Sequence, residues 1–260
     1  MHPFLDHGER PLAFAHRGGA SETAENSAGA FRRAVELGFR YVETDVHATA
    51  DGVVLAFHDA RLDRVTDGRG LVERQTWAQV SRARIGGTEP IPRLADLLAE
   101  FPDVRFNIDA KHDAAVAPLA DLLVRMRALD RVCVASFSDR RLARLAALLG
   151  PRACLSLGPR GVLRLRLAAT SGRRVPLPRA DCAQVPSRVG PVPVVDRRFV
   201  DTAHRLGLQV HVWTVDEPAE MDRLLRLGVD GLMTDRPAVL RGVLQGRGAW
   251  PDQGAPPEPG

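Results

Sequence analysis

The chain has 260 residues, 45% of them hydrophobic and 26% charged, which is the size and composition of an ordinary globular protein with a sizeable core. Thirty-six basic and 32 acidic residues give a formal net charge of +4, and the basic residues are spread along the chain, so we expect no nucleic-acid partner. No stretch approaches the roughly 20 apolar residues of a transmembrane span, and the N-terminus does not resemble a signal peptide. These observations predict a cytoplasmic protein without a transmembrane segment.

Short apolar runs alternate with helical patterns along the chain, and this alternation is typical of a parallel sheet wrapped by helices. The apolar runs predict eight strands, at residues 12–15, 40–46, 104–111, 131–137, 153–158, 182–186, 209–215 and 231–235. Eight strands in a chain of this length favour a (β/α)8 TIM barrel over an open doubly wound sheet. No G-x-G-x-x-G motif follows the first strand, which further disfavours a dinucleotide-binding fold.

Three segments depart from this rhythm. Residues 47–90 are too long for one βα loop and contain an apolar run that ends in His58, so they predict a small insertion after the second strand. The arginine-containing segment 170–180 is predicted to be a loop. The last segment, 245–260, is rich in Pro and Gly without periodicity and predicts a disordered tail. The prediction is therefore a single barrel domain over residues 1–244.

The second predicted strand carries an unusual set of polar residues. Because the side chains of a strand alternate between two faces, Glu43, Asp45 and His47 point to the same side. Two carboxylates on one face of a buried strand are costly unless a cation or hydrogen-bond donors compensate them. After the turn at Asp51–Gly52, a second apolar run ends in His58, which is well placed to face a site. The alternative is an exposed edge hairpin with solvated charges.

Polar residues also stand at the predicted carboxyl ends of other strands, where barrels place their active sites. They are His16 and Arg17 after the first strand, Asp109 and Lys111 on the third, and Trp213 on the seventh. Glu43, Asp45 and Asp109 make a set of three carboxylates without a nearby Cys, which suits Mg²⁺ or Ca²⁺ better than zinc or copper. Lys111 is the only lysine in the chain, and its place beside these carboxylates suggests an anionic substrate such as a phosphate.

An ordered set of short motifs runs along the chain. The motifs are His16-Arg17-Gly18-Gly19, Glu25-Asn26, Glu43-x-Asp45, His58-Asp59, Asn107-Ile108-Asp109-Ala110-Lys111, Trp213-Thr214, Gly228-Val229-Asp230-Gly231 and Thr234-Asp235-x-Pro237. No single motif is specific, but in this order they resemble the glycerophosphodiester phosphodiesterase family over residues 12–240. The resemblance implies a TIM barrel with a small insertion after the second strand, in agreement with the pattern of elements.

The resemblance also implies roles for individual residues. His16 and His58 match the general acid/base pair. The ligands of one divalent cation are matched by Glu43, Asp45 and Asp109. Arg17 and Lys111 match the groups that hold the phosphate, and Trp213 matches an aromatic wall near the alcohol. The implied cation is Mg²⁺ or Ca²⁺, with Mn²⁺ as a further candidate. In this family the glycerol 2-hydroxyl is the first nucleophile, and water then opens the resulting cyclic phosphate.

The implied function is metal-dependent hydrolysis of glycerophosphodiesters to sn-glycerol 3-phosphate and an alcohol. One alternative is a lysophospholipase D-like phosphodiesterase that acts on lysophospholipids, and another is a non-catalytic barrel that binds a phosphate ligand. The sequence departs from the family pattern at two positions. Asp109 stands where the family more often has Glu, which shortens the reach by roughly 1.5 Å, and Ala24 stands where Pro is frequent.

Several residues also have structural interpretations. For His47 the structural and functional interpretations have equal weight, and Asp109 with Lys111 could be a structural ion pair. Glu25-Asn26 is expected to open a helix or brace a loop rather than touch the substrate. The remaining residues of this kind are expected to be surface or packing residues, and they are His112, His204, His211, Cys133, Cys154 and Cys182.

Overall fold

A computed structural model describes residues 2–6, 8, 10–173 and 175–250. In chain order, its strands are β1 (Leu12–His16), β2 (Tyr41–Ala48), β3 (Val54–Ala56), β4 (Arg84–Ile85), β5 (Glu89–Pro90), β6 (Arg105–Ala110), β7 (Val132–Ala135), β8 (Cys154–Leu155), β9 (Cys182–Pro186), β10 (Arg188–Val189), β11 (Val192–Pro193), β12 (Gln209–Trp213) and β13 (Gly231–Thr234). The α-helices are α1 (Ala28–Glu36), α2 (Trp77–Val80), α3 (Leu94–Glu100), α4 (Val116–Arg125), α5 (Asp139–Leu149), α6 (Pro159–Ser171), α7 (Arg197–Arg205), α8 (Pro218–Leu227) and α9 (Pro237–Gly246). Short 3₁₀ helices lie at Pro3–Leu5, Leu62–Arg64, Val72–Arg74, Asp113–Ala115 and Leu129–Arg131.

Eight of these strands form a parallel barrel. They lie side by side in the order β8, β7, β6, β2, β1, β13, β12 and β9, and each is followed in the chain by a helix before the next barrel strand begins. The barrel closes between β8 and β9 through a single bridge from Ser156 to Cys182, where the amide of Leu157 donates to the carbonyl of Cys182 at 2.9 Å. The predicted (β/α)8 TIM barrel is therefore confirmed.

The element boundaries differ from the prediction mainly around β8. The fifth strand was predicted over residues 153–158, but only Cys154–Leu155 form a strand, because β9 contributes one bridge to it rather than a full ladder. Helix α6 extends to Ser171, two residues into the predicted loop 170–180. It ends at Gly172, whose φ of 68° is the left-handed conformation that terminates many helices. No helix in the described part of the chain combines the length and the apolar character that crossing a bilayer requires.

Apolar packing fills the amino-terminal end of the barrel. The first 3₁₀ helix covers this end, and the hydroxyl of Tyr41 donates to the carbonyl of Phe4 at 2.9 Å. The strands contribute the remaining members of this cluster, which are Leu12, Phe14, Tyr41, Cys133, Cys154, Cys182 and Met233. The three cysteines are buried and free, as expected. With this end filled, the carboxyl ends of the strands remain for a site.

The chain between β2 and α3 forms a separate lobe. Strand β3 runs antiparallel to β2, with Val46 opposite Ala56, so the predicted hairpin is present. All residues of β2 are buried, so the exposed edge hairpin with solvated charges is wrong. The lobe has its own apolar core of Leu55, Phe57, Leu62, Val72, Val80, Ala83, Ile85 and Ile91. His58 comes directly after Phe57 of this core and lines the cavity at the barrel mouth, so it lies between the two.

The carboxyl-terminal residues of the described chain pack on the barrel. Gln245 and Gly246 belong to α9, and Trp250 is buried with its ring centroid 5.0 Å from that of Phe39. The predicted tail is therefore wrong for residues 245–250, because a buried indole anchors them. Residues 251–260 of that predicted tail lie outside the described part of the chain.

Replacing Trp250 by alanine should lower the free energy of unfolding by about 3 kcal/mol, since it removes a large buried aromatic side chain. Urea denaturation measures this as a shift of the midpoint at constant slope. Val192→Ala is the matched control, because Val192 is exposed and should change stability by less than about 0.5 kcal/mol. Equal midpoints for the Trp250 variant and the control would show that residues 245–250 do not stabilise the barrel.

Candidate active site

A cavity of about 500 Å³ opens at the carboxyl ends of the barrel strands. One group of predicted residues lies on its wall. These residues come from strands β1, β2, β6 and β12 and the segments that follow them, and from the lobe. They are His16, Arg17, Glu43, Asp45, His58, Asp109, Lys111 and Trp213. All of the predicted site residues thus lie around one space, because parallel strands present their carboxyl ends to the same face.

The turn after β1 places Arg17 over the carboxylates. Arg17 has a φ of 51°, an uncommon left-handed conformation for a residue with a side chain. Its amide donates to the carbonyl of Glu43 at 3.0 Å, and its carbonyl accepts from the amide of Asn26 at 2.9 Å. The next residue, Gly18, has a φ of 80°, and a Cβ there would lie 2.7 Å from the Cβ of Ala30. The close approach to α1 therefore requires glycine.

Three buried carboxylates form the floor of this part of the cavity. Asp45 on β2 is in register with Asp109 on β6, and Glu43 lies two residues before Asp45. The ammonium of Lys111 bridges Asp45 Oδ1 at 2.8 Å and Asp109 Oδ2 at 2.7 Å. Arg17 Nε lies 3.0 Å from Asp45 Oδ2. Burial alone would raise the pKa of Asp45, but Lys111 and Arg17 hold it below its usual value.

The other two carboxylates are less well compensated. Burial and the neighbouring Asp45 raise the pKa of Glu43 to about 7, and burial raises the pKa of Asp109. Asp109 Oδ1 is buried without a hydrogen-bond partner in the described structure. An oxygen-only donor set with an unpartnered buried oxygen fits a hard divalent cation. In the arrangement described, however, no three Asp, Glu, His or Cys side chains of residues 2–6, 8, 10–173 and 175–250 converge as a complete metal centre.

Each predicted histidine is paired with a carboxylate through Nδ1. His16 Nδ1 lies 2.6 Å from Asp235 Oδ1, at the end of β13, and His58 Nδ1 lies 2.6 Å from Asp59 Oδ1. An ionised carboxylate can only accept, so Nδ1 carries the proton and Nε2 remains free to exchange one. Burial lowers the pKa of His16, but Glu43, 3.6 Å from its Nε2, and Asp235 raise it further than burial lowers it.

These orienting carboxylates received no role from the sequence. Asp59 and Asp235 are members of the quoted motifs, Asp59 directly after the apolar run that ends in His58 and Asp235 as the last residue of a predicted strand. Arg64 was not singled out at all, and hydrogen bonds from Arg64, followed by one from His58, lower the pKa of Asp59 to about 2. Asn26 braces the site as expected, because its amide nitrogen donates to Asp45 Oδ2 at 3.3 Å and its amide oxygen accepts from Thr44.

Four further histidines, His47, His112, His204 and His211, have structural contacts. His47 Nε2 lies 3.0 Å from the carbonyl of His58, and its ring stacks on that of His112. Burial lowers the pKa of His47, so the contact with the carbonyl is made by a neutral ring that donates. His204 pairs with Asp230, and His211 is fully buried. These contacts favour the structural interpretation for His47 and agree with the packing roles expected for the others.

The opposite side of the cavity is apolar. The rings of Trp213 and Phe137 meet edge to face with centroids 5.5 Å apart, and Phe137 is 63% exposed at the rim. The other apolar residues of this wall are Ala135, Leu157, Pro159, Val162, Val185, Pro186 and Val189, and the neighbouring polar residues Ser136, Ser156 and Gln184 line the cavity as well. The sequence analysis predicted Trp213 here but not Phe137, which it treated as the last residue of a strand. The cavity thus joins a charged half to an apolar half.

The fold and the site together define a class of protein, an α/β barrel whose mouth brings together two histidine–carboxylate pairs, three buried carboxylates and two cationic side chains. Residues 16–239 match the model of the glycerophosphoryl diester phosphodiesterase family. The chain is 46% identical over 252 residues to the probable glycerophosphodiester phosphodiesterase 2 of Mycobacterium tuberculosis, an alignment that covers 95% of each chain. The chain therefore belongs to the glycerophosphoryl diester phosphodiesterase family.

More distant relatives resemble the chain in sequence or in fold. A human lysophospholipase D is 26% identical over 286 residues, covering 94% of this chain and 90% of that protein. A crystal structure of a putative glycerophosphoryl diester phosphodiesterase from Silicibacter pomeroyi has a TM-score of 0.79 at 23% identity and covers 95% of this chain and 99% of that one. An Oleispira antarctica phosphodiesterase, solved with the product sn-glycerol-3-phosphate, has a TM-score of 0.75 at 21% identity, covering 91% of this chain and 97% of that one.

Proposed function

We propose that this protein hydrolyses glycerophosphodiesters to sn-glycerol 3-phosphate and an alcohol. The observation that carries the proposal is the placement of two histidine–carboxylate pairs around the same cavity as two cationic side chains. Arg17 and Lys111 supply the fork of donors and the point charge that suit a phosphodiester. His16 and His58 supply the groups that move protons. Membership of the family supports the same reaction.

The two histidines divide the proton transfers between them. One neutral imidazole accepts the proton of the attacking hydroxyl through Nε2, while the other, protonated, donates to the oxygen of the leaving alcohol. Asp235 and Asp59 hold the two rings in the tautomer that leaves Nε2 free and stabilise each imidazolium when it forms. Attack by the glycerol 2-hydroxyl in this first step gives a cyclic phosphate. When water opens the cyclic phosphate in the second step, the two histidines exchange roles. The ring states are thereby restored at the end of the cycle.

We also propose that the site takes one divalent cation, Mg²⁺ or Ca²⁺, with Mn²⁺ as a further candidate. Glu43, Asp45 and Asp109 would hold it, and the unpartnered Oδ1 of Asp109 is the observation that supports this assignment. Such a cation polarises the phosphodiester and stabilises negative charge on its oxygens. Arg17 and Lys111 orient the phosphate and exclude water from its charged side.

Release of sn-glycerol 3-phosphate from glycerophosphocholine tests the proposal directly. We expect product formation with Mg²⁺, Ca²⁺ or Mn²⁺ and its loss when a chelator is added. A series of glycerophosphodiesters with other head groups should be included, since the alcohol is not identified by the charged half of the site. Absence of product from every diester with all three cations would contradict the proposed function.

A second candidate function is lysophospholipase D-like cleavage of lysophospholipids. The apolar half of the cavity supports it, because an acyl chain could bury against Phe137 and Trp213 while the phosphate lies against Arg17 and Lys111. If so, Phe137→Ala should lower kcat/KM for lysophosphatidylcholine by about tenfold, which corresponds to about 1.4 kcal/mol of lost apolar contact.

The matched control for this variant is its rate on glycerophosphocholine, which lacks the acyl chain and should change by less than about twofold. A wild-type protein that cleaves only the deacylated substrate would exclude the second candidate. Equal losses on both substrates would instead give Phe137 a role common to both, at the alcohol or through Lys111, whose ammonium lies 5.4 Å from the centroid of the Phe137 ring.

A further inference from the structure

Arg64 connects two parts of the site that the barrel itself leaves separate. It lies in the 3₁₀ helix Leu62–Arg64 of the lobe, and its side chain is 49% exposed. Its Nε and Nη2 donate to the two oxygens of Asp59 at 2.7 and 3.0 Å. Its Nη1 and Nη2 donate to the two oxygens of Glu25 at 3.0 and 2.7 Å. One guanidinium therefore holds two carboxylates, each through two hydrogen bonds.

Each of these carboxylates in turn contacts a residue of the proposed machinery. Asp59 Oδ1 accepts from His58 Nδ1, and Glu25 Oε1 accepts from Arg17 Nη1 at 3.2 Å. Asp59 comes from the lobe, whereas Glu25 comes from the loop between β1 and α1. Arg64 thus links the histidine on one element to the phosphate-holding arginine on another.

The chemistry of this contact suits orientation better than stability. An isolated, half-exposed ion pair contributes little to folding, but bidentate geometry and membership of a network are the conditions under which such pairs matter. The guanidinium is planar and always charged, so it fixes both the direction and the charge of the carboxylates it holds. Because misplacement by about 1 Å can cost about 100-fold in rate, a residue that fixes two catalytic elements at once affects turnover without touching the substrate.

We propose that Arg64 is a positioning residue, which sets the His58 ring through Asp59 and the Arg17 guanidinium through Glu25. The proposal rests on the proposed function only for the roles of His58 and Arg17. It gives the lobe a second role in the site: besides contributing His58, the lobe contributes Arg64. It also assigns Glu25, which does not line the cavity, a role in phosphate binding through Arg17.

The test compares Arg64→Met with Arg61→Met. Arg61 is three residues earlier in the chain and is 57% exposed, and among the residues that the structure describes its side chain pairs only with Asp63, so its variant controls for loss of a surface arginine. With glycerophosphocholine, Arg64→Met should lower kcat by about 10- to 100-fold and raise KM several-fold, while Arg61→Met should leave both within about twofold. Arg64→Lys should recover less than a third of the lost kcat, because an ammonium cannot bond both carboxylates in two places.

Double variants separate positioning from simple structural support. In an Asp59→Asn background, adding Arg64→Met should lower kcat by no more than about twofold, and in a Glu25→Gln background it should not raise KM further. Losses that multiply in both backgrounds would overturn the proposal. So would full recovery of kcat and KM by Arg64→Lys, which would reduce the role of Arg64 to its charge.

A measurement on His58 itself keeps the proposal separate from the proposed function. Long-range ¹H–¹⁵N NMR, with the His58 signals assigned from a His58→Asn variant, reports which ring nitrogen carries the proton. The wild-type protein should show the Nδ1-protonated tautomer, and Arg64→Met should show a mixture with the Nε2-protonated form. If the protein cleaves no glycerophosphodiester but this shift occurs, the proposed function fails and the positioning role stands. An unchanged tautomer in Arg64→Met would overturn the positioning role.

Discussion

Replacement of His16 or His58 by alanine should lower kcat for glycerophosphocholine by about 10²- to 10⁴-fold, with the fold unchanged. The reason is that each imidazole is proposed to carry one of the two proton transfers, and a positioned general acid or base contributes a factor of this size. KM should change much less, because Arg17 and Lys111 are the residues proposed to hold the phosphate. Steady-state release of sn-glycerol 3-phosphate from each purified variant gives both constants.

The double His16→Ala, His58→Ala variant adds a sharper criterion. If the two histidines act as a unit, losing both should cost little more than losing one. His204→Ala is the matched control, because His204 also pairs with a carboxylate, Asp230, but lies on α7 away from the cavity. It should retain full activity. A His58 variant as active as the His204 control would show that the acid–base assignment is wrong.

Removal of divalent cations should abolish turnover, and Asp109→Asn should raise the cation concentration needed for half-maximal activity at least 10- to 100-fold. Loss of an outer-shell partner already costs a factor of that order, and Asp109 is proposed as a direct ligand. The amide lacks the charge that a hard cation requires. Titration of the chelated enzyme with Mg²⁺, Ca²⁺ and Mn²⁺, monitored by activity and by calorimetry, measures the shift.

Two further variants make this prediction decisive. Asp109→Glu keeps the carboxylate on a side chain one methylene longer, and it should bind the cation at least as tightly as the wild-type protein. Asp130→Asn removes an exposed carboxylate that pairs with Arg152, and it should leave the titration unchanged. Full activity of the wild-type enzyme in excess chelator would contradict cation dependence and leave Lys111 and Arg17 as the only positive charges on the phosphate.

The barrel could be predicted from the sequence because its signal is local and repeated. Each strand is a short apolar run followed by a helical pattern, and eight such units in 260 residues leave few alternatives. The boundaries of β8 could not be predicted, because the length of a strand depends on how many backbone hydrogen bonds the neighbouring strand forms with it. The tail prediction was wrong for residues 245–250 since composition does not reveal that Trp250 finds a partner in Phe39.

The site was predictable to a similar extent and for a similar reason. Residues at the ends of parallel strands meet automatically, so Glu43 and Asp109 could be placed around one space from their strands alone. The partners of these residues come from loops, and the conformation of a loop cannot be predicted from a periodic pattern in the sequence. Asp235 could be identified from the sequence, but its hydrogen bond to His16 could not. The contacts of Arg64 depend on the path of the lobe, which brings together residues that are distant in the chain.

Lys111 is the only side chain in the protein with a primary amine. Burial alone would lower its pKa, but Asp45 and Asp109 raise it above its usual value, so the amine is kept protonated and poorly nucleophilic. An amine-selective acylating reagent should therefore modify this side chain slowly at neutral pH. Any ligand or substitution that draws the two carboxylates away would quicken the reaction. A single acylation rate, followed by mass spectrometry, becomes a direct reporter of how the two carboxylates are engaged.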